Sequence, residues 1–362
     1  MSLVGDRQAT VIGFAAALAV LAVTFWVIGV DDMVATISMA DASVVTVMVP
    51  VALGWLFCWG LALKLVLSSM GVRIGVLKSF LTFSAAVFAN NVTPFGQAGG
   101  EPVTAYVISR SSDAEYETGL AAIASVDALH FVPTIGFAGI GLAYFATQIT
   151  FGRQLLIATG VVAALAVAVP VLAYLGWRHR EAVESGVVKI LSPIVRIVGR
   201  LLPGRSTPDG DVVRERVQSF FGALDRVASD RYRLGIAMSL SALGWLGIMT
   251  SLWLGLYALG YPVDFPVVLV AIPVSSIAGV TPLPGGLGAL DGVLIALLVA
   301  LAGIPAAAAG AAVVLHRAAT YSPPRVPRPP GRTERRSSVL VGRLCHRYDA
   351  LKCWRGERVP IW

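Results

Sequence analysis

The sequence predicts an all-α fold, a polytopic helical membrane bundle of about seven or eight spans that contains two Gly/Pro-broken segments. Three observations carry this. Of 362 residues, 56% are hydrophobic and only 14% charged, against roughly 25% charged in soluble domains, and the mean hydropathy is +0.77. Apolar runs of span length recur, separated by short polar stretches. Two similar stretches rich in glycine and proline interrupt those runs where a regular helix would otherwise continue. An ordinary soluble domain is excluded.

Apolar runs fall at 10–30, 43–63, 77–89, 118–145, 154–177, 234–259, 265–280 and 292–315. The first follows Arg7 as a signal peptide would, but its 21 residues are long for a signal core and no small-residue cleavage site follows. It reads as a retained first span. Lys64, Arg73 and Lys78 lie between the second and third runs, and Asp31, Asp32 and Asp41 between the first two. Short basic loops stay on the cytoplasmic side, so a multi-pass protein of the cell membrane with a cytoplasmic N-terminus is expected.

Between Arg178 and Arg233, eleven basic and seven acidic residues accompany apolar positions at helical spacing, among them Val187, Ile190, Leu191, Ile194 and Val198. This predicts cytoplasmic amphipathic helices joined by a turn at 203–210, or a solvated linker held at anionic headgroups. After Tyr321 the composition turns abruptly to Pro and Arg. Residues 322–362 hold ten Arg/Lys against Glu334, Asp349 and Glu357, the whole of the net charge of +7. The expected division is a transmembrane domain, 1–321, and a basic disordered tail, 322–362, which is a polybasic arm or the product of a shifted reading frame. With the rest of the chain neutral, no nucleic-acid partner is expected. Cys58, Cys345 and Cys353 suit neither a disulfide framework nor a zinc site, and no metal or cofactor is expected.

The first broken segment runs Asn90-Asn91-Val92-Thr93-Pro94-Phe95-Gly96-Gln97-Ala98-Gly99-Gly100-Glu101-Pro102. Its prolines lack an N–H and its glycines hold no regular backbone, so no helix is expected to continue through it. The second runs Val280-Thr281-Pro282-Leu283-Pro284-Gly285-Gly286-Leu287-Gly288-Ala289-Leu290-Asp291. Both contain Val-Thr-Pro, and Pro94 to Glu101 and Pro284 to Asp291 share one spacing, as a duplicated element would.

Paired, interrupted segments in two halves of a membrane protein point to a central pathway of discontinuous helices. Free N–H groups at half-helix N-termini suit a phosphate or carboxylate. Acids at membrane depth suit a proton, a cation or a basic headgroup. The alternative is two surface loops, each with an acidic residue capping the next helix. Asp127 and His130, three apart on one helix face, form either a proton relay or a polar pair joining helices. His316 and Arg317, with Tyr321 one turn later, are expected to snorkel to the cytoplasmic interface. No GxSxG, P-loop, HExxH or Ser/His/Asp pattern is present, and no enzyme chemistry is expected.

Asn90-Asn91 with Pro94, Gly96, Gly99-Gly100 and Glu101, then Pro284-Gly285-Gly286-Leu287-Gly288 with its following acid, then Arg317 and Tyr321, resemble the flippase-like family called the lysylphosphatidylglycerol synthase transmembrane region. The resemblance spans most of residues 10–321. It implies a membrane domain that moves a lipid headgroup, such as an aminoacylated phospholipid or a polyprenyl-linked sugar. A secondary transporter of a small solute and an accessory subunit of lipid-linked sugar synthesis are the alternatives. The aminoacyl-transferase domain of the full-length synthases is not among these residues, so that activity would come from a separate partner. Members continue past the Arg…Tyr region into another apolar span, whereas here the Pro/Arg tail follows.

Overall fold

The computed structural model describes residues 22, 23, 26, 29–93, 97–112, 114–148, 153–201, 210–278, 284–286 and 288–321, and every regular element among them is helical. Most of the expected first span, and everything after Tyr321, lies outside the described residues.

A short helix α1 (Val30–Ser38) carries Asp31 and Asp32 in its first turn, where the helix dipole favours negative charge. Asp41 starts α2 (Ala42–Ser69): its carboxylate accepts from the Ser43 N–H at 2.8 Å and the Ser43 hydroxyl at 2.6 Å. Then come α3 (Val76–Val92), α4 (Gln97–Ser112), α5 (Tyr116–Gln148), α6 (Arg153–Arg178), α7 (Arg180–Leu201) and α8 (Gly210–Ser229). Asp230 caps α9 (Arg231–Ala258), accepting from the Arg233 N–H at 3.1 Å. Helices α10 (Phe265–Ile277), α11 (Ala289–Ala302) and α12 (Ala306–Tyr321) complete the bundle. Three of these, α2, α5 and α9, are long and apolar enough to cross a membrane.

Helix α2 packs along α9 and α3, while α5 is flanked by α4, α9 and α10. Trp55, Trp59, Leu63, Leu67, Phe83, Ile108 and Val126 fill one core; Met249, Leu252, Leu256, Val268, Leu294 and Leu298 fill a second. Trp245 and Ile248 of α9 join the two. Small residues buried between helices, such as Ala62, Ala86, Ala121, Ala237 and Ala312, allow the close backbone approach that replaces a hydrophobic drive in lipid.

Two expectations are corrected. The run 292–315, read as one span, divides into α11 and α12 because Gly303 adopts φ +66° and Pro305 follows two residues later. The charged stretch from Arg178 contains α7 and α8, and α8 is no free linker. It buries Val213, Val217, Ala223 and Val227, packs on α5, and pairs Arg216 with Glu117.

Candidate functional site where the broken segments meet

The first break is narrower than the sequence suggests. Helix α3 runs on through Asn90 and Asn91, and side chains at its end bond back along it: Asn91 Nδ2 donates to the Val87 carbonyl at 2.8 Å, and Thr93 Oγ1 to the Ala89 carbonyl at 2.7 Å. The helix ends at Thr93, which is extended. Pro94 and Gly96 lie outside the described residues, and α4 is helical from Gln97. Glu101 and Pro102, expected in irregular backbone, therefore sit inside a helix. Pro102 stands past the first turn, so its missing N–H removes the bond to the carbonyl four residues back, and the helix continues despite that loss.

The two halves fold back on one another. A Cβ on Gly100 would overlap Asn90 Oδ1 and come within 2.8 Å of the Asn90 backbone nitrogen, so only glycine permits this contact. Further along the same interface, Thr82 Oγ1 donates to Ser111 Oγ at 3.3 Å. Gly99 is half-buried beside Gly100. Glu101 is half-buried, and its carboxyl lies within hydrogen-bonding reach of that of Asp127 on α5.

In the second segment Thr281 and Pro282 lie outside the described residues, and Pro284–Gly286 form a 3₁₀ turn. Gly285, Gly286 and Gly288 take φ of +61°, +64° and +85°, a backbone that side-chain-bearing residues adopt only under strain. Asp291 is at once a helix cap and half of an ion pair. Its Oδ2 accepts from the Gly288 N–H at 3.1 Å, and its Oδ1 accepts from Arg317 Nε at 2.5 Å. The side chains of Asp291 and Arg317 are 2% and 15% exposed. Arg317 thus turns inward, correcting the snorkelling expectation, because a buried carboxylate draws the nearest guanidinium. His316 also turns in, with Nδ1 3.2 Å from Ser251 Oγ. The Tyr321 side chain lies outside the description, though its backbone closes α12.

The broken segments touch. A Cβ on Gly285 would stand 2.9 Å from Asn91 Oδ1 and 3.2 Å from Asn91 Cα. The end of α3 and the glycine turn before α11 are thereby brought together from residues nearly two hundred positions apart.

Asp127 and His130 share a face of α5 but serve different helices. Asp127 reaches α4, whereas His130 Nδ1 lies 2.7 Å from Ser241 Oγ on α9. The His130 ring lies 4.0 Å from that of Trp59, which in turn contacts Trp55 and Trp245. Sequence reasoning missed Thr104, Trp59 and Ser241. Thr104 was legible as the polar residue one turn after Glu101. Asn90 Oδ1 and Thr104 Oγ1 are buried without a hydrogen-bond partner among the described residues. Among the described residues, no three His, Cys, Asp or Glu side chains gather to hold a metal.

Residues 10–326 match the family described as the lysylphosphatidylglycerol synthase TM region. Among its relatives, a UPF0104 membrane protein of Pyrococcus horikoshii is 23% identical over 305 residues, 83% of this chain and 89% of that protein. Two UPF0104 membrane proteins of Methanothermobacter thermautotrophicus are 25% and 26% identical, over 70% and 74% of this chain and 74% and 77% of theirs. With a match across nearly its whole helical body, the chain belongs to the lysylphosphatidylglycerol synthase TM region family and is a membrane protein.

Proposed function

We propose that the chain moves the headgroup of a phospholipid or polyprenyl-linked lipid across the cytoplasmic membrane, along a path lined by the two broken segments. The observation that supports this reading is the contact of Gly285 with Asn91, which joins two interrupted helices at one place. Asn90, Asn91, Thr93, Gly99, Gly100 and Glu101 contribute one wall; Gly285, Gly286, Gly288 and Asp291 contribute the other. Backbone N–H groups freed at the glycine turn suit a phosphate, and Glu101 suits a cation or an amine. The protein works as a multi-pass membrane domain with a cytoplasmic N-terminus, beside a separate transferase that makes its lipid.

The test is translocation of headgroup-labelled phospholipid in vesicles containing the purified protein, read with a membrane-impermeant quencher. The wild type is expected to expose inner-leaflet label faster than protein-free vesicles, and Glu101→Gln and Gly285→Ala to slow it at equal protein content. Equal rates in wild-type and protein-free vesicles would refute the reading. Gradient-driven solute uptake without lipid exchange would assign the path to a small-solute transporter.

A further inference from the structure

The acids of the two broken segments have unlike surroundings. Asp291 meets a guanidinium, and its charge is balanced. Glu101 meets another acid, Asp127. Two carboxyl groups this close repel when both are ionised, and a shared proton or a bound cation relieves that repulsion.

Two further oxygens sit at this junction of α3, α4 and α5. Asn90 Oδ1 rests against Gly100, the residue before Glu101, and is buried without a partner among the described residues. Thr104, one turn beyond Glu101 on α4, is 1% exposed, and its hydroxyl is likewise unpartnered. An amide carbonyl accepts only; it calls for a donor or a cation. A shared proton satisfies the carboxyl groups and leaves both of these oxygens unmet. Amide, hydroxyl and carboxylate oxygens together are the donor set of small hard cations. The end of α3, two residues past Asn90, adds the negative pole of a helix.

Among the described residues, other charged groups on the surrounding helices are engaged or distant. His130 turns to Ser241, Glu117 is paired with Arg216 of α8, and Arg233 of α9 bonds Asp230 and the Ser68 carbonyl. Lys78 lies at the far end of α3 and Lys64 near the end of α2; Arg178 of α6 bonds Tyr174, and α10 carries no charged residue.

We propose that Asn90, Glu101, Thr104 and Asp127 form a sodium site that carries a proton between its two carboxyl groups when sodium is absent. Binding is an exchange. The shared proton passes to water, and sodium takes its place on the same oxygens.

The experiment uses the purified full chain in detergent, in weakly buffered choline chloride, with sodium chloride added at constant ionic strength. The wild type is expected to release about one proton per chain, read by a pH indicator, and to unfold at a higher temperature in sodium than in choline. Glu101→Gln and Asp127→Asn abolish both responses. Thr104→Val alters one buried hydroxyl and keeps the carboxyl pair; it shifts the sodium dependence at least tenfold to higher concentration while the elution volume and helical signal stay unchanged. Absence of a sodium-specific response in the wild type overturns the proposal, and so does an unaltered response in Thr104→Val. No lipid movement is measured, so this site can fail while the translocation reading stands, and the reverse.

Discussion

The Asp291–Arg317 pair ties the start of α11 to the last turns of α12, with the carboxylate buried. Removing Arg317 leaves the buried Asp291 carboxylate uncompensated, which costs about 3–5 kcal/mol, whereas removing both can be nearly neutral. Arg317→Met is expected to lower stability by about that amount in detergent unfolding, with Asp291→Asn added to it recovering much of the loss. Gly285→Ala forces a Cβ into left-handed backbone and against Asn91, with an expected loss of about 1–2 kcal/mol from conformation alone. Asp41 behaves differently because it is exposed: hydrogen bonds from the Ser43 hydroxyl and N–H hold its carboxyl below the ordinary 3.8. Its cap is therefore fully formed above 3.8 and is lost as pH falls through the lower folded value. Asp41→Asn should flatten that acid limb of the unfolding profile. At this scale the acids were legible but their partners were not. Glu101 and Asp291 stood out as charges in apolar surroundings, yet Asp127 and Arg317 reach them only through packing between helices, which helical spacing within one segment does not encode.

At the scale of elements, proline and glycine announced that α3 would end but overstated the gap, because α4 resumes at Gln97 and carries Pro102 inside it at the loss of one backbone bond. The reverse error occurred at Gly303-Ile304-Pro305, where continuous apolar residues concealed a turn. Helix α8 was legible from its spacing, whereas its docking was not, since an amphipathic face does not say whether it meets lipid or protein. Its valines decide this. Val217→Asp, which buries a charge against α5, should lower the unfolding midpoint sharply, while Arg216→Ala should change stability by less than about 1 kcal/mol because the arginine of that pair is largely exposed.

For the whole molecule, fold class was the most legible property, because lipid admits a spanning chain only when every backbone group is satisfied, and apolar runs without strand alternation leave helices. How the spans are arranged was not legible. Two cores joined through Trp245 and Ile248 depend on contacts between distant residues. Residues 1–322 form one compact unit, and a chain ending at Ser322 is expected to keep the wild-type unfolding midpoint in detergent. Helix α11 has a further consequence for the surrounding lipid. Its 14 residues span about 21 Å, and the 17 of α3 about 26 Å, against a hydrocarbon layer of roughly 30 Å. Both present apolar side chains outward, Val293 and Val299 on one and Leu81 and Phe88 on the other. Lipid tails beside them must shorten or tilt to meet these faces. If these helices set the local thickness, the translocation proposed above should quicken in vesicles of short-chain phospholipid and slow as the chains lengthen.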